Sequence, residues 1–240
     1  MKGLYFDVEK GHVDYDVLRG STDYKDYLKE AAKLNQFDLS SLRGNEAKKA
    51  FWINLYNVLI IHGVIALDIR SSVKEAFYFF GRIKYKVGGY VFSANDIEHG
   101  ILRANASNPQ TGFKAFKKSD PRLRYSVRQA DPRIHCALVC ASASCPPINF
   151  YDEKTINQQL DISTRSFMNR KGAFVKNNTL FLSEIFQWYH DDFGHIDQVL
   201  EFIFKYVNKE TVKEIQSIKI DSRIKYVPYD WELNKSLSKL

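Results

Sequence analysis

Three cysteines and two histidine-bearing segments are the places where this sequence could do chemistry. Cys136, Cys140 and Cys145 fall within ten residues. Cys145 ends a run of small residues, Ala141-Ser142-Ala143-Ser144, over which a ligand can approach the backbone closely. Pro146 biases Cys145 toward an extended conformation and so fixes how its thiol is presented. A thiol in a loop with histidine available is the layout of a cysteine nucleophile. The competing reading is a small buried hydrophobe whose place is set by packing. On the first reading Cys145 attacks a carbonyl, His135 or His99 takes the proton, and backbone N–H groups from Ala143 to Cys145 hold the oxyanion. His135 shares the segment, but an extended path from His135 to Cys140 spans about 16 Å, so the chain must double back to bring Cys145 within reach.

His99 offers a second base, next to Glu98. Adjacent residues on an α-helix diverge by roughly 100°, so Glu98 and His99 face one site only if the helix is distorted. Arg103 lies one turn beyond His99. Asn54 and Asn57 share a face of the most apolar helix, where primary amides need hydrogen-bond partners; they either clamp the loop from Ala141 to Cys145 or orient a base or substrate carbonyl. Arg103, Arg133 and Ser144 complete the candidates for support or substrate contact. The gap between Cys140 and Cys145 is not the CxxC spacing of a redox motif. Cys140, Cys145, His135 and a distant His99 supply too few obvious zinc ligands. No metal and no cofactor is expected.

These residues need elements to hold them. Tyr24, Leu28, Ala31 and Leu34 recur at helical spacing after Thr22, a candidate N-cap. Asn45 opens a helix through about Leu67, apolar on nearly all sides and therefore a buried central helix. Arg82 to Ser93 reads as a hairpin turning on Gly88-Gly89. Ser93 then caps a helix carrying Glu98, His99 and Arg103, with Asp96 completing a loose capping box. Residues 107–130 read as a basic surface excursion. Arg133 to Cys140 reads as a short central strand, residues 153–169 as a helix capped by Asp152, and 173–175 with 180–182 as a second hairpin turning on Asn177-Asn178. The helix EIFQWYHDDF stops at Gly194. Two amphipathic helices over 196–207 and 210–217 and a strand from Arg223 to Val227 follow. Trp188, Tyr189, Asp191 and Asp192 read as an aromatic-acidic binding edge or, more simply, Phe186, Tyr189 and Phe193 as a packing stripe, and Trp231 reads as a plug for the core. His62 reads as an isolated core or rim histidine. The fold class is α+β: a single helix-rich domain with a buried central helix packed on a small, mainly antiparallel sheet.

The 240-residue chain is long enough to bury a core without disulfides or structural metal. No apolar run reaches the length of a transmembrane helix, and the N-terminus has no signal-peptide pattern. Free thiols, a reducing compartment and a cytoplasmic location are the expectation. The net charge is +7, with the densest basic stretch at Lys114, Lys117, Lys118, Arg122, Arg124 and Arg128. That stretch is either a solvated loop or a patch for an acidic partner. No nucleic-acid-binding signature accompanies it.

Five segments in order, FWINLYN (51–57), DIEHGILR (96–103), DPRIHCALVCASASCP (131–146), WYHDDF (188–193) and YDWELN (229–234), resemble the domain of unknown function 547 family. The resemblance runs from about Tyr24 to Asn234, with residues 1–20 as an extension. It implies a fold and a motif set; the family's name carries no reaction. Its members stand alone or form modules of larger proteins. Cys136 stands where the family has an aromatic or aliphatic residue, which marks it as a substituted core position. The layout is broadly analogous to papain- and transglutaminase-type proteins, and fold analogy does not license function. Two expectations follow: a cysteine-nucleophile hydrolase or acyl transferase acting on an amide or peptide-type substrate, or a non-catalytic protein-interaction module with a basic surface.

Overall fold

The most apolar stretch of sequence becomes the centre of the molecule. In the computed structural model, which describes residues 4–7, 11–218 and 224–236, Gly44–Ala66 is one helix. Trp52, Ile53, Ile60 and Val64 have no exposed surface. The helix is long and apolar enough to cross a membrane, yet 72% of its most apolar window is buried within the protein. A core helix needs both features, because each of its faces meets other elements. Helix Tyr15–Gly20, helix Ile156–Phe167 and the hairpin Lys84–Val87/Tyr90–Ser93 surround it. The Trp52 and Phe92 rings meet at 4.7 Å.

Both hairpins form as the turn residues dictate. Gly88 and Gly89 have φ of 54° and 83°, and Asn177 and Asn178 have 50° and 56°. Two successive positive φ values match the right-handed twist of the flanking strands. The second hairpin pairs Ala173–Lys176 with Thr179–Ser183, and Ile224–Val227 adds to it in parallel. Arg223, the expected start of that last strand, lies outside the described residues. This three-stranded sheet packs with helices Glu184–Trp188, His190–Phe193, Ile196–Tyr206 and Lys209–Gln216 around a second apolar cluster that includes Phe186, Phe193 and Ile203. The fold is α+β.

Several local expectations need correction. Ser21 rather than Thr22 caps the helix Thr22–Lys33, its Oγ accepting from Tyr24 N–H at 3.0 Å. Asp152 caps only a preceding turn through Lys154 N–H; the helix itself starts at Ile156. Arg133 to Cys140 is not a strand. Asp131 accepts from Arg133 N–H at 3.2 Å, Pro132 supplies a φ suited to a helical first turn, and Pro132–Cys136 is a 3₁₀ turn. Apolar residues with buried neighbours look alike in a strand and in a buried loop.

The C-terminal segment acts as a strap over that loop. Asn234 N–H donates to Ala141 C=O at 3.2 Å, Ala143 N–H to Glu232 C=O at 2.7 Å, and Ser144 N–H to Asp230 C=O at 3.3 Å. Tyr15 Oη donates to Asn234 Oδ1 at 2.7 Å, which ties residues of the N-terminal extension to the same strap.

Candidate functional site

The segment carrying Glu98 and His99 holds the first site residues. Ser93 and Asp96 form the expected reciprocal cap, with Ser93 N–H to Asp96 Oδ2 at 2.9 Å and Asp96 N–H to Ser93 Oγ at 3.1 Å. Beyond the cap, Asp96–Leu102 is wound as a π-helix, and Arg103 N–H reaches Glu98 C=O, five residues back, at 2.9 Å. This is the distortion that α-helical geometry demanded: on the widened turn Glu98 and His99 line one cavity. Gly100 sits within the turn, where a Cβ would run into the Phe116 ring.

Tyr56 Oη at 3.0 Å and Tyr189 Oη at 2.5 Å both donate to the Glu98 carboxylate. Burial alone would raise the Glu98 carboxyl. The neighbouring His99, the Tyr189 hydroxyl, His135 and Arg103 outweigh burial and hold it below its ordinary value. Burial pushes both tyrosines up, so they remain protonated donors.

The two histidines are held in opposite senses. Arg103, always a donor, points Nη1 at His99 Nδ1 at 2.9 Å. His99 Nδ1 must therefore accept, and the ring's single proton sits on Nε2. Burial lowers the His99 pKa; the Glu98 carboxylate opposes this and the adjacent Arg103 adds to it. His135 Nε2 meets Asp192 Oδ2 at 2.8 Å. Burial would raise the Asp192 carboxyl, but His135 and the bidentate Arg103 (Nη2 to Oδ1, 3.0 Å) hold it down to about 2. The ionised Asp192 accepts from His135 Nε2–H, which leaves Nδ1 as the ring's acceptor nitrogen. Tyr189 stacks on the His135 ring at 3.9 Å.

The third component is a thiol pair. Ala141 turns the chain with φ of 59°, and Cys145 N–H closes a turn onto Ser142 C=O at 3.0 Å. This brings Cys145 Sγ back to accept from Cys140 N–H at 2.8 Å. Tyr229 Oη, from the strap, lies 2.9 Å from Cys140 Sγ and 3.3 Å from Cys145 Sγ. Ser142 Oγ lies 3.3 Å and 3.4 Å from the same two sulfurs. Burial works against a thiolate on Cys145, but the donors from Cys140, Ser142 and Tyr229 overcome it and hold that thiol down to about 6. Burial and the neighbouring sulfur drive Cys140 up. The surroundings thus favour a thiolate on Cys145 over one on Cys140.

Cys140, Glu98, His99 and His135 line one cavity of about 80 Å³, and Cys145 does not. Cys145 opens instead on a small crevice beside Arg170 and Lys171. Neither His135 nor His99 is hydrogen bonded to a cysteine. The expected oxyanion hole is absent, because the N–H groups of Ala143, Ser144 and Cys145 are all taken by backbone carbonyls. Ser144 braces the strap, its Oγ accepting from Asp230 N–H at 2.9 Å. Arg133 is bound to Asp131, Asn157 and Asp161, away from the cavity. Asn57 and Asn54 do clamp, but on the flanks of the cysteine loop. Asn57 holds Ala137 C=O and Val139 N–H, each at 3.0 Å. Asn54 holds Tyr151 C=O at 2.7 Å and N–H at 2.9 Å. Trp231 is no core plug: it stacks on Trp188 at 5.9 Å, and both line the cavity. His62 belongs to an aromatic group with Tyr24, Tyr27 and Tyr85.

Tyr229 and Tyr56 are site residues that sequence reasoning missed, and Asp192 and Tyr189 are ones it set aside in favour of a packing helix. Asp192 carried a signal, since an acidic residue on a helix with an apolar stripe needs a partner if that helix is buried. Tyr229 carried none. No group of three or more His, Cys, Asp or Glu side chains among the described residues is arranged to hold a metal ion.

A family model described as a protein of unknown function, DUF547, matches residues 39–168, more than half of the chain. The chain belongs to the DUF547 family. The match contains the segments FWINLYN, DIEHGILR and DPRIHCALVCASASCP. Asp192 and Tyr229, which hold His135 and the thiol pair, come from outside the residues matched to DUF547. No curated protein and no solved structure matches the chain.

Proposed function

We propose that this DUF547 protein is a thiol-dependent acyl hydrolase or acyl transferase whose attacking sulfur is that of Cys140. The observation that carries this reading is the cavity that Cys140 shares with His135, whose Nε2 is held by Asp192. Cys145, whose Sγ accepts from the Cys140 N–H at 2.8 Å, is the base behind the nucleophile. It accepts the Cys140 proton as the Cys140 sulfur bonds to the acyl carbon, and the leaving group departs with that proton. His99 Nε2–H, fixed as a donor by Arg103, faces the developing oxyanion; a preorganised donor of this kind is worth about 10²–10³ in rate. His135 Nδ1 then activates the water that cleaves the thioester, with Asp192 fixing its tautomer. The cavity adjoins an outer cleft of about 460 Å³, which shares Asn108, Pro109, Gln110 and Trp188 with it. That volume suits the body of a small-molecule or peptide-sized substrate.

An activated ester such as p-nitrophenyl acetate tests the reading. The expected product is a single acetyl group on Cys140, found by peptide mass spectrometry and absent in Cys140→Ser. His135→Gln should keep the adduct but slow its hydrolysis by about 10²–10⁴-fold. No adduct, or one spread equally over Cys136 and surface lysines, would leave the non-catalytic interaction module as the better reading.

A further inference from the structure

The C-x4-C spacing of Cys140 and Cys145 lacks the form of a redox motif, yet the loop folds the two sulfurs together. They share Tyr229 Oη at 2.9 Å and 3.3 Å and Ser142 Oγ at 3.3 Å and 3.4 Å, and Cys140 N–H donates to Cys145 Sγ at 2.8 Å. Cys140 alone faces the cavity, with Cys145 behind it. A cavity-facing thiol backed by a second, ionisable one is the arrangement of an attacking and a resolving cysteine. Cys136 offers a control within the same chain. It is buried in the second apolar cluster, where burial pushes its thiol up to about 12.

We propose that Cys140 and Cys145 form a dithiol couple that reduces small hydroperoxides and is converted to an intramolecular disulfide. The inference shares the cavity-facing Cys140 with the acyl-transfer reading but needs no acyl substrate. In the first step the Cys140 sulfur bonds to the distal oxygen of ROOH and the O–O bond breaks. The alkoxide takes the proton released by the thiol and leaves as ROH, giving Cys140 sulfenic acid. In the second step the Cys145 thiolate attacks Cys140 Sγ, the S–O bond breaks, and hydroxide leaves and takes a proton from solvent as water. One thiol, one thiolate, one ROOH and one solvent proton become one disulfide, one ROH and one water. An external dithiol restores both thiols by exchange. The cavity of about 80 Å³ has room for a molecule the size of two or three waters, at roughly 30 Å³ each, which fits a small hydroperoxide. Disulfide closure needs the sulfurs to approach to about 2.05 Å.

The test treats the full chain with one equivalent of hydrogen peroxide and reads intact mass, peptide mass and free thiols. The expected result is loss of the mass of two hydrogens, confined to the peptide holding Cys140 and Cys145. Titratable thiols should fall from the three free cysteines to one, and dithiothreitol should restore them. Cys145→Ser should instead give a sulfenic acid at Cys140 trapped by dimedone, with dithiothreitol-supported peroxide turnover reduced at least about tenfold. Sulfinic acid accumulating on Cys140 of the unaltered chain, or a crosslink to Cys136, would overturn the proposal. The wild-type mass readout stands even if Cys145→Ser fails to fold. It also separates the two readings: disulfide without an acetyl adduct removes acyl transfer alone, and the adduct without disulfide removes the dithiol couple alone.

Discussion

One guanidinium assigns the roles of both histidines. Arg103 points an N–H at His99 Nδ1 and two at Asp192, and Asp192 in turn accepts from His135 Nε2–H. His99 becomes a donor and His135 an acceptor at the cavity, although both carry the same side chain. Asp192 and Arg103 are almost wholly buried, at 4% and 2% side-chain exposure, so removing the carboxylate strands a buried cation. Asp192→Asn should therefore cost about 3–5 kcal/mol at pH 7. The sign of its pH dependence follows from the depressed carboxyl. The Asp192 contribution is complete above the unfolded value of about 3.9 and is lost as pH falls toward about 2. Melting curves of wild type and Asp192→Asn should thus converge below about pH 4. A gap that stays constant from pH 7 to pH 3 would mean that the carboxylate charge contributes nothing. None of this pairing was legible in the sequence, because Arg103 and Asp192 are 89 residues apart and no local spacing encodes the contact. His99, His135 and Arg103 did stand out in the sequence as polar residues inside otherwise apolar segments, and the structure joins them in one hydrogen-bonded network through Asp192.

The elements that hold these residues were read with uneven success, and the reasons are physical. Hairpins and the central helix announce themselves through turn chemistry and periodicity, and both formed where those signals lay. The π turn at Asp96–Leu102 does not, since its residues also fit an α-helix; only the requirement that Glu98 and His99 share a site hints at it. The apolar run from Ile134 to Val139 carries no period that separates strand from buried loop. What fixes the loop is Asn57, 1% exposed, satisfying Ala137 C=O and Val139 N–H. Asn57→Ala leaves two buried backbone groups unpaired at roughly 1–3 kcal/mol each. A melting temperature lower by about 5–15 °C is expected, at about 2–4 °C per kcal/mol for a chain of this size. Asn54→Ala, at a half-buried position that water can reach, should lower it by less than half as much. Equal losses at the two positions would show that Asn57 is no special clamp on the cysteine loop.

At the scale of the whole molecule the site is assembled from the length of the chain. Tyr56 comes from the central helix, Glu98 and His99 from the π turn, His135 and Cys140 from the cysteine loop, Asp192 from the helices of the second cluster, and Tyr229 from the C-terminal strap. The strap holds the loop by three backbone hydrogen bonds and lays a phenol across both sulfurs. Burial and the two sulfurs push Tyr229 up, so it keeps its proton and donates. The lowered pKa of Cys145 therefore depends on residues that the chain brings together only when folded. The most direct test is the pH dependence of iodoacetamide alkylation, resolved cysteine by cysteine in the intact protein and in Tyr229→Phe. The first thiol of the Cys140/Cys145 pair should be lost with a midpoint well below the free-thiol value of about 8.5, the midpoint should rise in Tyr229→Phe, and Cys136 should stay unmodified. A midpoint at or above about 8.5, or loss of the pair no faster than Cys136, would contradict a thiolate at this site.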